Sequence, residues 1–163
     1  MMLTGFPPIV DQRASLLVLG SMPGVLSLQR GQYYAHPRNM FWCITGELLG
    51  FDADADYDVR TAALREAGIA LWDVLHTCER RGSLDSSIAR DSAVPNDFHS
   101  LLSAYPDIRR VFFNGAKAEH MFQRLVRRTR DHIAYRRLPS TSPANASIPY
   151  GVKLQAWRAI VER

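Results

Sequence analysis

Residues 16–42 read LLVLGSMPGVLSLQRGQYYAHPRNMFW, and the way this stretch divides decides the fold. The apolar run at 15–19 is rich in branched side chains, which marks a buried strand. It ends at Gly20, Ser21, Met22, Pro23 and Gly24, a loop able to turn tightly and bare its backbone N–H groups. Behind the loop comes a segment crowded with groups that stack, hydrogen-bond or carry charge: Arg30, Tyr33, Tyr34, His36, Arg38, Asn39, Phe41 and Trp42. That density is more than a connector needs. A buried strand feeding such a loop is where open α/β sheets set their ligand sites.

Upstream, residues 1–14 hold a Pro-Pro pair and read as an irregular lead-in. Residues 39–49 pattern as a helix stopped by Gly50, and a second helix over 59–67 is stopped by Gly68. Between them, the acidic run 52–58 lacks the spacing of a calcium loop and reads as a solvated turn. A second strand over 69–74 carries Asp73 near its end, where a carboxylate is costly unless paired or solvated. Residues 76–88, HTCERRGSLDSSI, read as an extended polar loop, with Ser83 and Asp85 as surface caps or site groups. A helix over 97–105 capped by Asn96 and a third strand over 108–114 come next. A helix over 116–127, a fourth strand over 134–138 and a helix over 150–161 complete the chain. Arg124, Arg127, Arg128 and Arg130 crowd the end of the 116–127 helix, where they suit its dipole or a phosphate.

The totals narrow the class. A chain of 163 residues fits one domain, 1–163, with room for a substantial core. Hydrophobic content of 47% is that of a globular protein, and no apolar run reaches the length of a membrane span. The opening MMLTGFPPIVDQRA lacks the basic and apolar regions of a signal peptide, so the expected setting is cytoplasmic. Cys43 and Cys78 lie in apolar patterns, are expected as buried thiols, and are too few for a four-thiolate cluster. There is no G-x-x-x-x-G-K-[ST] or G-x-G-x-x-G loop, and neither cofactor nor metal is expected. The net charge of +4 and pI near 9.4 favour a polyanionic partner. Only Lys117 and Lys153 among the 20 basic residues are lysine, and arginine's fork suits phosphate.

GSMPG followed by YYAHPRNMFW resembles motif 1 of the uracil-DNA glycosylase superfamily. The wording is similar to that of the mismatch-specific uracil/thymine enzymes, with their GINPG and FAHPxNRFW-like stretches. It is closer to the hypoxanthine-DNA glycosylases of the sixth family, with GSxPG and YYxxPxNxFW. The RxGSLDxxI wording at 80–88 resembles that same branch, and LPSTSPANA at 138–146 stands where motif 2 belongs. The resemblance covers nearly the whole chain. It implies a three-layer α/β/α sandwich with a four-stranded parallel sheet and both motif loops at the strands' C-terminal edge. It also implies a monofunctional DNA glycosylase of base excision repair, a nucleoid-associated monomer working on damaged double- or single-stranded DNA. Neither motif holds a lysine for a Schiff base with the sugar.

Such an enzyme turns a nucleotide out of the duplex, stacks its base and holds a water under the sugar carbon. The resemblance puts Gly20, Ser21, Met22, Pro23, Gly24, Tyr34, Phe41, Asp73 and Asn114 around the base. The resemblance makes Tyr34 the expected stacking ring, since it falls where the mismatch-specific enzymes carry a stacking aromatic; it could equally be core, but two adjacent tyrosines cannot both face inward along a strand. Asp73 is either a pocket group or a structural acid, and Asn114 either a turn former or a carboxamide for a base edge. Ser140, Thr141, Ser142, Pro143, Ala144 and Asn145 form the expected DNA-binding loop, gripping phosphate through hydroxyls and N–H groups. The departures matter. Met22 stands where the mismatch-specific enzymes carry a water-handling Asn, and a thioether cannot hold water in that way. Ser140 replaces the family's His or Asn, and Ala144 replaces a bulky wedge, leaving Asn145, Ile148 or Tyr150 to fill the stack. Asn39 is then the expected catalytic residue, positioning water, capping its helix, or both. Loss of both pyrimidine-directed groups favours hypoxanthine over uracil in mispairs. The rival from another class is a DNA binder that keeps the fold without catalysis.

Overall fold

A computed structural model describes residues 2–126 and 132–162. The chain enters through a short strand, β1 (Met2–Thr4), and continues into β2 (Leu16–Gly20), α1 (Val25–Arg30) and α2 (Phe41–Leu49). Next come α3 (Tyr57–Glu66), β3 (Ile69–Asp73), β4 (Leu75–Glu79), β5 (Val94–Pro95) and α4 (Phe98–Ala104). The last elements are β6 (Arg110–Asn114), α5 (Ala116–Leu125), β7 (Ala134–Leu138) and α6 (Tyr150–Trp157).

Four strands make one parallel sheet in the order β3-β2-β6-β7. In β2 and β3 every residue is buried, as parallel strands covered on both faces require. Alternation then sorts their side chains into two cores. Leu17, Leu19, Ala70, Trp72, Val111 and Phe113 pack with Phe98, Leu101, Met121 and Phe122 of α4 and α5. Leu16, Val18, Ile69, Leu71 and Phe112 pack with Phe41, Trp42, Leu64 and Trp157 of α2, α3 and α6. The result is the expected three-layer α/β/α sandwich. The chain leaves β2 over the α2–α3 face and leaves β6 over the α5 face, so the crevice between these strand ends is the sheet's switch point.

Some expectations need correction. The lead-in is partly a strand: β1 pairs antiparallel with β4, which pairs in turn with β5, giving a second, three-stranded sheet. Residues 75–79 are therefore not open loop, and the extended loop begins after Glu79. The α1 helix, six residues ended by left-handed Gly31, lies inside the stretch taken as one loop segment. Cys78 is buried, but Cys43 is exposed, because it falls on the outer face of α2. The α4 cap is Asp97, whose carboxylate accepts from the Ser100 N–H at 3.0 Å, and Asn96 is spent elsewhere. Arg127, Arg128 and Arg130 lie outside the described residues, and Arg124 is exposed in the last turn of α5.

Candidate active site

Gly20 ends β2 beside Asp73, its register partner at the end of β3. In the loop that follows, Ser21 and Pro23 are buried, and Met22 turns into the core with Val74, Leu75 and Cys78. The third residue of the loop thus presents no side chain to the crevice. The 80–88 loop is clasped onto this turn. Arg80 donates from Nη2 to the Pro23 carbonyl at 2.6 Å and from Nε to Gly82 at 2.7 Å. Ser83 Oγ accepts from the Val25 N–H at 2.9 Å. Asp85 faces Ser21; its burial raises the carboxyl's pKa, while the Ser21 hydroxyl, Arg80 and Lys117 pull it back. Sequence reasoning gave Arg80 no individual role. Only the RxGSLDxxI wording pointed to it.

The two tyrosines both face inward, which is possible because residues 33 and 34 do not lie on a strand. Tyr33 is core: its hydroxyl donates to Pro7 O at 2.9 Å, and its carbonyl takes the Trp42 indole N–H. Tyr34 has φ of +54°, a left-handed backbone that costs a non-glycine residue on the order of 1–3 kcal/mol. That turn swings its ring out of the Tyr33 direction and onto Phe41, stacked at 4.3 Å and 23°. Phe41 is fully buried, so it backs Tyr34 and does not itself face a base. The Tyr34 hydroxyl is shut off from solvent and completes no well-formed hydrogen bond among the described residues, although the Asn114 side chain lies beside it. Burial, then the Asp73 charge, raise its pKa further, with Asn114 opposing.

Asn39 sits one residue ahead of the α2 cap, Met40, and its Oδ1 accepts from the Phe41 N–H at 2.9 Å. One carboxamide oxygen thus closes the start of the helix, while its second lone pair and its amino group take no partner among the described residues. The cap reading and the water-positioning reading are compatible.

Motif 2 is locked to both neighbouring loops through one residue. Thr141 is wholly buried; its N–H and hydroxyl engage Asn114 at 2.9 Å each, and its carbonyl takes the Met40 N–H at 3.0 Å. Thr141 is therefore an internal brace and not a phosphate contact. Asn114 spends its carboxamide on that brace. Gly115, with φ of +96°, has to be glycine, since a Cβ there meets the Ser140 Cβ at 2.9 Å. Ser142 caps the short turn Pro143–Asn145 by accepting from the Ala144 N–H, and Asn145 Nδ2 reaches Ser140 O at 3.3 Å. Of the suggested wedges, Tyr150 packs on the core beside α2, and Asn145 is held by its bond; Ala144 stays exposed.

Asp73 is buried, and Asn96, read from the sequence as a cap, instead donates to the Asp73 and Leu75 carbonyls at 2.8 and 3.2 Å. A separate hollow of about 320 Å³ lies at the opposite edge, lined by Ser15, Ile69, Arg110 and Ile160 at the strands' beginnings. Open α/β sheets do not place ligands there. Among the described residues no cluster of His, Cys, Asp or Glu can hold a metal, and no helix is long and apolar enough to cross a membrane.

The family model of the Uracil DNA glycosylase superfamily matches residues 7–161. The chain belongs to that superfamily. A hypoxanthine DNA glycosylase of Methanosarcina acetivorans is 37% identical over 144 residues, which cover 86% of this chain and 87% of the relative. One from Methanosarcina barkeri is 40% identical over 115 residues, 70% of this chain and 72% of the relative. A solution NMR structure of a candidate uracil DNA glycosylase from Methanosarcina acetivorans superposes with a TM-score of 0.79 at 31% identity. It covers 99% of this chain and 100% of its own. Both motif loops lie at the C-terminal edge of the sheet, where Thr141 of the second binds Asn114 at the end of β6 and takes the Met40 N–H.

Proposed function

We propose that this chain is a monofunctional DNA glycosylase, a single-domain monomer that hydrolyses the N-glycosidic bond of deoxyinosine and releases hypoxanthine. The observation that carries the reading is the inward turn of Met22, which leaves Asn39 as the motif 1 carboxamide at the crevice. The two relatives named hypoxanthine DNA glycosylases support the choice of base.

In this reading motif 2 grips the phosphates through Ser140, Ser142 and its N–H groups, on a loop that Thr141 and Asn114 hold in place. The extruded base lies on the face of Tyr34 opposite Phe41. Asn39, fixed by its bond to the Phe41 N–H, holds a water beneath the sugar carbon. A carboxamide does not take the water's proton, which balances the charge of the departing base anion, directly or through solvent. Its contribution is to orient the water while the DNA's own phosphates stabilise the developing sugar cation.

The test uses duplex and single-stranded oligonucleotides carrying hypoxanthine, xanthine, uracil or thymine mispairs, scored for alkali-labile sites. Strand cleavage at hypoxanthine is expected. DNA binding without base release from any substrate would make the chain a non-catalytic member of its superfamily.

A further inference from the structure

Four buried side-chain atoms lack a hydrogen-bond partner among the described residues: Tyr34 Oη, Asp73 Oδ2, Arg80 Nη1 and Lys153 Nζ. Two of them, Tyr34 Oη and Asp73 Oδ2, belong to side chains that flank Gly20. A Cβ on that glycine would stand 2.5 Å from Asp73 Oδ1 and 2.7 Å from Tyr34 Oη, so the carboxyl and the phenol share the space that glycine leaves open. Unsatisfied buried polar atoms are uncommon and costly in a finished fold. Two at the C-terminal edge of the sheet, one of them on a strained tyrosine, are suited to a ligand that supplies the missing bonds.

The surroundings determine the form of Asp73. The ion pairs among the described residues are Arg13–Asp11 and Arg137–Glu119, so none of the described cations pairs with Asp73. Arg80, whose charge acts on it, gives Nε and Nη2 to the Gly82 and Pro23 carbonyls and keeps only Nη1 without a partner. Asp85 adds a second acid from the clasping loop, and Tyr33 and Tyr34 face Asp73 from motif 1. Burial first, then the charge of Asp85, push the Asp73 pKa from 3.8 up to about 7, against a pull from Arg80. A neutral carboxylic acid offers an O–H donor beside a carbonyl acceptor. The six-membered ring of hypoxanthine presents the complement, a C6 carbonyl beside N1–H. A departing base also gathers negative charge on its ring nitrogens and carbonyl. An O–H donor stabilises that charge, whereas a carboxylate repels it.

We propose that Asp73, as the neutral acid, is the pocket's hydrogen-bonding partner for the lactam edge of the extruded base, with the Tyr34 hydroxyl beside it. The inference rests on the hypoxanthine reading and adds a pH requirement to it. Ionisation of Asp73 removes the donor and places a negative charge against the leaving base. Excision is therefore fastest with the proton in place, and falls as pH rises through about 7. The sign for stability is the same. The folded-state pKa lies above the unfolded value, so the stability owed to the protonated carboxyl is full below pH 3.8 and is lost as pH rises through about 7.

The experiment compares wild type, Asp73→Asn and Asp73→Ala in single-turnover excision from a hypoxanthine oligonucleotide between about pH 5.5 and 9. Thermal midpoints are recorded at pH 5 and 8. Asp73→Asn keeps a donor beside an acceptor and cannot ionise. It is expected within about tenfold of wild type at pH 6, without the alkaline decline, and with a larger gain in midpoint at pH 8 than at pH 5. Asp73→Ala is expected to lose about a hundredfold at every pH. An Asp73→Ala enzyme of wild-type speed, or an Asp73→Asn profile that declines with the wild type's, overturns the assignment. Wild-type protein that never releases hypoxanthine overturns the activity itself, and the assignment with it.

Discussion

Replacing Asn39 by alanine separates two duties that one carboxamide performs. Its Oδ1 closes the start of α2 by accepting from the Phe41 N–H at 2.9 Å. Loss of that bond leaves one of the helix's first N–H groups without its partner, which costs about 1 kcal/mol. In a chain of this size that is a fall in midpoint of roughly 2–4 °C. The catalytic duty is larger. If Asn39 is what orients the water, its removal raises the barrier by about 3 kcal/mol, roughly a hundredfold or more in single-turnover rate. Affinity for damaged DNA should change little, because the lost contact is realised in the transition state. Asn39→Ser refines the comparison, since a short hydroxyl can still accept from Phe41 but reaches no further. Its midpoint should stay near wild type while its rate falls with that of Asn39→Ala. The assay is gel-resolved excision from a hypoxanthine oligonucleotide with enzyme in excess, paired with a thermal melt of each protein. A lowered midpoint together with wild-type excision would leave Asn39 as a helix cap and remove it from the mechanism.

Three further outcomes follow from the same geometry. Tyr34→Ala removes the stacking ring and should slow excision roughly 5- to 150-fold, the equivalent of about 1–3 kcal/mol per stacked base; if Tyr33→Ala alone abolished turnover in a folded protein, the wrong ring has been assigned. Asn114→Ala strands the buried Thr141 N–H and hydroxyl, so the midpoint should drop by the equivalent of about 2–5 kcal/mol, and an unchanged melt would contradict the brace. DNA affinity should weaken with salt at a log–log slope of about −3 to −4, from roughly three to five phosphate contacts, and a flat profile would argue against DNA as the partner.

The central sheet was readable because parallel strands buried on both faces are written as apolar runs, LLVLG and IALWD, each closed by a polar or glycine signal. The site's location followed from GSMPG standing after the first of them. What stayed hidden depends on contacts distant in sequence. β4 has a polar sequence and becomes a strand by pairing with β5 and with β1, the latter more than seventy residues earlier. The positive φ of Tyr34 has no signature in a Tyr-Tyr pair, and so the strand-based argument for choosing between the rings failed even though Tyr34 was the ring chosen. Asn96 and Asn114 looked like a cap and a turn former because local patterns describe local bonds, yet both carboxamides reach across to other strand ends. Thr141 looked like a surface hydroxyl in a Ser/Pro loop until the fold buried it.

The most direct test of the account is the ratio of single-turnover rates for hypoxanthine and uracil, placed in turn at the same position of the same duplex with enzyme in excess. Met22 packed in the core and Ser140 at the head of motif 2 take the places of the two motif groups that act on a pyrimidine in the mismatch-specific enzymes, so hypoxanthine should be released faster. Release of free hypoxanthine, identified by mass, at a rate above that of uracil is the result the account expects. Faster release of uracil would contradict it and move the chain to the mismatch-specific branch of its superfamily.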